Sequence, residues 1–190
     1  MKVLKFGGTS VANAQNIKLV LEIVEQKSRE DKLIVAVSAF SGVTDLLLSA
    51  AQKASSKDDS YRDVVLQIEK KHLEAIKELI PANEQTALLH YCKKNISLLE
   101  TLLDGCYLLG ELTARTSDMI VSFGELLSSY IIAEAMKQKL ANSIFKDSRE
   151  LIKTNNNFGK AEVYFEITNK NICNYFSDNA TQVTVIPGFI

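Results

Sequence analysis

MKVLKFGGTS, residues 1–10, is the stretch from which the rest of the chain is read. Val3-Leu4-Lys5-Phe6 is a short apolar run of strand character that stops at Gly7 and Gly8, followed by two hydroxyls, Thr9 and Ser10. From Val11 to Lys27 the pattern turns helical, with Ile17, Val20, Leu21 and Val24 on one stripe. A strand, a glycine turn and a helix together present backbone N–H groups and a helix N-terminus to an anion. Glycines let the backbone come close to a ligand, and Thr9 or Ser10 either caps the helix or bonds a phosphate oxygen. Lys5 is a charge in an apolar strand, and an unpaired buried ammonium is costly. Two positions before the glycines, it stands at the strand's end beside any anion the loop holds. The loop is not a Walker A motif, whose lysine follows its glycines, and a Gly-Gly turn alone is also an ordinary tight turn.

Working outward, a polar break at Ser28–Lys32 leads into Leu33-Ile34-Val35-Ala36-Val37-Ser38. A continuous β-branched run of this kind reads as a fully buried parallel strand. Strand, helix and strand within the first 38 residues make a βαβ unit, hence a mostly parallel sheet. In open sheets of this class ligands collect outside the C-terminal strand ends. That rule places Lys5–Ser10 and Ser38–Thr44 on one rim. The second strand leaves through Ser38-Ala39-Phe40-Ser41-Gly42-Val43-Thr44-Asp45, with a helix from about Thr44 to Lys53. Its small hydroxyls suit either a carboxylate cradle or plain helix capping by Ser41 or Thr44.

Composition narrows the function classes. The chain has 190 residues, 46% hydrophobic and 24% charged, with a net charge of −1. That is enough apolar content for one domain with a real core. The near-neutral charge argues against nucleic acid or an anionic membrane as the main partner. No signal peptide is recognisable, and no apolar run reaches the roughly 18 residues expected of a membrane span. Cys92, Cys106 and Cys173 are widely spaced without a CxxC pair, which predicts reduced, mostly buried thiols in a cytoplasmic protein. His72 and His90 are too few for a metal cluster, and the run Glu69-Lys70-Lys71-His72 predicts a solvated helix face.

Residues from about 58 to 115 read as a helical insertion: Asp63–Leu79, then a break at Pro81-Ala82-Asn83, then Glu84–Leu103 and an apolar Gly105–Thr113. Thr116–Lys137 follows, with Thr116-Ser117-Asp118 as the expected cap and wide apolar coverage. Within it lies Ser122-Phe123-Gly124-Glu125. A mid-helix glycine costs on the order of 1 kcal/mol against alanine and calls for a packing or access reason. Glu125, a carboxylate on an apolar helix, should meet a cation from the protein or from a ligand. Asn142–Phe145 reads as a strand, Lys153–Lys160 as a loop, Val163–Phe176 as a helix and Gln182–Ile186 as a strand. The last residues, Pro187-Gly188-Phe189-Ile190, are apolar where most domains end polar, so a truncated domain is expected.

KFGGTSV at 5–11, SAFSGVTD at 38–45, SFGE at 122–125 and the strand ending in PGFI, in that order, resemble the signatures of aspartate kinases in the amino-acid kinase family. MKVLKFGGTSVANA is most similar to the bifunctional aspartokinase–homoserine dehydrogenase type. Where the family more often carries Asn, this chain has Asp45. The resemblance implies a three-layer α/β fold with helices on both faces of the sheet. It makes residues 1–190 the N-terminal lobe of a kinase catalytic domain whose nucleotide-binding C-terminal lobe is absent. The implied reaction moves a phosphoryl group from ATP, with Mg²⁺, to the side-chain carboxylate of L-aspartate. The product is 4-phospho-L-aspartate, in the first step of lysine, threonine and methionine biosynthesis. Lys5 is then the catalytic residue; Lys5, Gly7, Gly8, Thr9 and Ser10 bind the phosphates; Ser38, Thr44 and Glu125 bind the amino acid. No protein metal ligand is expected, and a homo-oligomer is expected of the full-length protein. The alternatives are a kinase of the same fold acting on another small acid, or a fragment that serves as an inactive substrate-binding lobe.

Overall fold

The computed structural model describes residues 1–189. Four parallel strands form one sheet in the order β1-β2-β4-β3. They are β1 (Lys2–Phe6), β2 (Leu33–Val37), β3 (Ser143–Phe145) and β4 (Val183–Pro187). The helices are α1 (Ala14–Ser28), α2 (Val43–Ser55), α3 (Tyr61–Leu79), α4 (Gln85–Leu109), α5 (Ala114–Lys137), α6 (Ser148–Leu151) and α7 (Phe165–Asp178). The register aligns Phe6, Val37 and Pro187, so β1, β2 and β4 all end on the same rim.

Alternation sorts the strands' side chains. Leu33, Val35 and Val37 of β2 and Val183 and Val185 of β4 are buried against α1 and α5. Each such side chain contributes about 1.5–3 kcal/mol. Val3, Ile34 and Ile186 point the other way, toward Leu151, Ile172 and Phe176 of the α6–α7 layer. Helices therefore lie on both faces, as expected, but the second layer covers its face only in part: Val3 is 66% exposed. Because β1 is an edge strand, Lys5 is exposed. The desolvation cost expected for a charge in this strand does not arise.

Helices α3 and α4 are not a separate subdomain. Tyr61, Ile68, Ile76, Leu99 and Leu103 are fully buried in the same core as the sheet. Proline ends α3 by an ordinary steric route: Ile80, which precedes Pro81, is extended at φ −117°, ψ 133°. α4 runs unbroken through Gly105.

Several expectations are corrected. α1 starts at Ala14, and Asn13, not Thr9 or Ser10, caps it by accepting from the Asn16 N–H at 2.9 Å. α2 begins at Val43 after Gly42, without a side-chain cap from Ser41 or Thr44. α5 is capped by Thr113 and begins at Ala114, two residues before the Thr116 cluster. That helix is long and apolar enough by composition to cross a bilayer, contrary to the sequence reading. Its apolar residues pack on strands β2, β3 and β4 and on helices α2 and α4, and 67% of the apolar stretch is buried.

His72 is also not on a solvated face. It is fully buried and stacked on Phe40, with ring centroids 5.1 Å apart, and its Nδ1 lies 2.7 Å from the Ile68 carbonyl. Burial pushes its pKa down to about 4, so Nδ1 is the protonated nitrogen of a neutral ring. Among the described residues its Nε2 has no partner. Cys92 and Cys106 are buried as expected, whereas Cys173 is exposed.

Candidate functional site

Beyond the aligned ends of β1, β2 and β4 is a cleft of about 250 Å³. It is lined by Lys5 and Gly7 of the first strand and turn, Ala36, Val37 and Ser38 of the second strand and its exit, Glu125 of α5, and Gly188 and Phe189. Four remote parts of the sequence converge here: the parallel register brings three strand ends to one edge, and α5 adds the fourth.

α5 meets this rim through one face of its helix. Gly124, Glu125 and Ser128, spaced at i, i+1 and i+4, point toward the β2 exit. A Cβ on Gly124 would lie 2.9 Å from Ala39 Cβ and 3.1 Å from Leu47 Cδ1. The mid-helix glycine therefore has the packing reason that its cost demanded. It lets the α5 backbone close on the segment after β2. Glu125, half-buried, accepts from the Ser38 hydroxyl at 3.2 Å through Oε1 and from the Phe189 N–H through Oε2. A Cβ on Gly188 would come within 3.0 Å of that Oε2, so a bare backbone is needed at this point as well. The Gly188 N–H in turn donates to the Val37 carbonyl at 3.1 Å, and the Ser148 hydroxyl donates to the Pro187 carbonyl at 2.9 Å.

Among the described residues Lys5 forms no ion pair, so its ammonium and the Glu125 carboxylate face one cleft without neutralising partners from the chain. The turn after β1 is closed by the Ser10 N–H donating to the Gly7 carbonyl at 2.9 Å. Neither Gly7 nor Gly8 has a positive φ, and a Cβ at Gly7 would meet nothing within 4 Å. The fold itself therefore does not require the first glycine of the pair.

Of the residues singled out from the sequence, Lys5, Gly7, Ser38 and Glu125 line the cleft. Gly8, Thr9 and Ser10 lie in the adjoining turn and do not line it; the Thr9 carbonyl accepts from the Asn16 side chain at 2.9 Å. Thr44 is exposed in the first turn of α2, also outside the cleft lining. Ala36, Val37, Gly188 and Phe189 also line it, although the sequence does not single them out as site residues. The PGF segment stands in the sequence as an apolar chain end and as one of the family-like signatures, and a glycine directly after a core strand is itself a signal of close approach.

The chain matches the model of the amino acid kinase family over residues 1–190. It is 34% identical to a chloroplastic bifunctional aspartokinase/homoserine dehydrogenase 2 of Zea mays, across 99% of this chain and 20% of that protein. It is 38% identical to the chloroplastic aspartokinase 1 of Arabidopsis thaliana, across 69% of this chain and 22% of that one. Its fold superposes on E. coli aspartokinase III, solved with aspartate and ADP, at a TM-score of 0.85 and 23% identity. That match covers 99% of this chain and 40% of the solved one. The chain thus spans about a fifth of the length of these curated relatives. With the match running from the first residue to the last, this chain belongs to the amino acid kinase family.

Proposed function

We propose that this chain is the amino-acid-binding portion of an aspartate kinase, which moves the γ-phosphoryl group of ATP to the side-chain carboxylate of L-aspartate. The observation that carries the reading is that an ammonium without an ion-pair partner among the described residues, Lys5, and a hydrogen-bonded carboxylate, Glu125, line one small cleft. Phosphoryl transfer asks little covalent chemistry of a protein; it needs alignment and neutralisation of the charge spread over the transferred group. Lys5 supplies the positive charge at the strand end, and the Gly7 backbone leaves room for a phosphate beside it. Glu125 receives the substrate's α-ammonium. A carboxylate has about four acceptor sites, and Ser38 and Phe189 use two of them, one on each oxygen. Ser38 orients the carboxylate, while Thr44 and Ser10 approach the ligands only from the cleft's surroundings.

Size supports a small zwitterion. Sites for drug-sized ligands start at about 300 Å³, and this cleft holds about 250 Å³. The bulk of a nucleotide must then lie against surfaces beyond it. Among the described residues no three acidic, histidine or cysteine side chains converge on a metal position.

A panel of acceptors, assayed in a complete kinase carrying this segment, tests the proposal. L-Aspartate should be phosphorylated, while N-acetylated acids and carbamate, which offer no ammonium to Glu125, should not. Turnover of an acetylated acid at a rate comparable to aspartate would replace this reading with that of a different small-acid kinase. The short coverage of the aspartokinase structure, 40%, favours a second statement about the chain alone: it binds without catalysing.

A further inference from the structure

Ser128 lies one turn beyond Glu125 on α5, is completely buried, and does not line the cleft. Its hydroxyl is 2.8 Å from the Ser38 carbonyl and 3.2 Å from the Glu125 carbonyl. The bond within the helix is the ordinary back-bond of a helical serine. The bond to Ser38 is different in kind, since it crosses from α5 to the end of β2. On the other side, the Ser38 N–H donates to the Phe6 carbonyl at 3.1 Å. Ser38 is thus held by both of its backbone groups, one toward β1 and one toward α5. With its backbone fixed in this way, its hydroxyl reaches Glu125 Oε1 at 3.2 Å.

We propose that Ser128 is a positioning residue for the amino-acid end of the site, a claim that rests on the reading of Ser38 and Glu125 as ligand-binding. It acts through Ser38: by fastening that carbonyl to α5, it keeps the Ser38 hydroxyl within reach of the Glu125 carboxylate. Without it the carbonyl is left unpaired in the interior, and the β2 exit moves to recover a partner.

The neighbouring Ser129 is a matched control. It is equally buried, and among the described residues its hydroxyl bonds only within its own helix, at 2.5 Å to the Glu125 carbonyl and 3.2 Å to that of Leu126. Ser128→Ala and Ser129→Ala therefore delete the same atom from the same helix, and only the first cuts the tie to β2. In a complete kinase carrying this segment, Ser128→Ala should raise the KM for L-aspartate about tenfold, the equivalent of one lost buried hydrogen bond. Its kcat and its KM for ATP should stay within about twofold of the parent. Ser129→Ala should change none of the three, and thermal denaturation of the two variants reports any shared structural cost. Equal aspartate KM values for the two variants would overturn the assignment, as would a rise in ATP KM matching that for aspartate. Glu125→Gln, run beside them, separates the levels. If it raises aspartate KM and Ser128→Ala does not, this inference alone fails. If Glu125→Gln leaves aspartate KM unchanged, the reading of the site fails and the inference with it.

Discussion

Substituting Gly124 by alanine sets two physical effects against each other, and the structure decides the sign. In an exposed helix the change stabilises by about 1 kcal/mol. Here the new Cβ would stand 2.9 Å from Ala39 Cβ, 3.1 Å from Leu47 Cδ1 and 3.4 Å from Val43 Cγ1. Carbon atoms in contact prefer at least about 3.5 Å, so α5 and the segment after β2 must separate by about 0.6 Å. Ala39 Cβ is fixed to its backbone and cannot rotate aside. Ala39, Val43 and Leu47 are all buried, so no adjoining solvent takes up the displacement. Overpacking of this kind costs about 1–3 kcal/mol. After the helical gain is subtracted, a net loss of up to about 2 kcal/mol remains, or a fall in Tm of about 4–8 °C for a chain of this size. The same displacement would stretch the 3.2 Å bond between Ser38 and Glu125 to about 3.8 Å, past hydrogen-bonding range. Urea unfolding of parent and variant, with slopes compared to exclude a changed denatured state, measures the first effect. Aspartate KM in a complete kinase measures the second. A variant more stable than its parent would refute the close-packing argument for Gly124.

The other predictions follow from charge and burial. Lys5→Ala should lower turnover of a complete kinase by about three orders of magnitude or more while leaving its melting temperature in place, since Lys5 is exposed and pairs with nothing in the chain among the described residues; near-normal turnover would remove Lys5 from the mechanism. Glu125→Gln should raise aspartate KM far more than ATP KM, and equal rises would mean that its role is only to hold Phe189 and Ser38. His72 is held down to about 4 from an ordinary 6.5, so between these values the unfolded chain binds a proton that the folded chain refuses. Stability should therefore rise with pH across that window, by on the order of 3 kcal/mol in full. Replacing His72 by Phe, which keeps the stack on Phe40, should flatten that slope in denaturation curves at pH 5 and 7; an unchanged slope would assign it to other groups. For residues 1–190 alone, calorimetric titration with ATP–Mg²⁺ should show binding weaker than micromolar and an assay should show no turnover; tight nucleotide binding would contradict the size argument made for the cleft.

How much was legible in the chain depended on the range of the signal. The strands at Val3–Phe6, Leu33–Ser38 and Gln182–Ile186 were readable as short apolar runs, the last two rich in the β-branched residues of a buried parallel strand. Their common rim followed from the βαβ order, before any side chain was placed. Lys5 and Glu125 stood out as charges in apolar elements, which is a local contrast. Helix starts were less legible: Asn13 and Thr113 cap α1 and α5, although nearby hydroxyls offered equally good caps on paper. His72 was misread because its charged neighbours suggest solvent, and only the packing of α3 shows that its face of the helix meets Phe40.

By itself the sequence determined the fold class, the order of the main elements and the shared rim of Lys5–Ser10 and Ser38–Thr44, because each rests on periodicity and charge within a few residues of chain. Tertiary structure alone decided which groups touch. Ser38 and Glu125 are 87 positions apart, Ser38 and Ser128 are 90, and Gly188 is bare because a carboxylate oxygen from another helix lies where its side chain would be. Such contacts depend on how closely α5 approaches the end of β2, a distance set by packing at Gly124, and no local pattern encodes that approach.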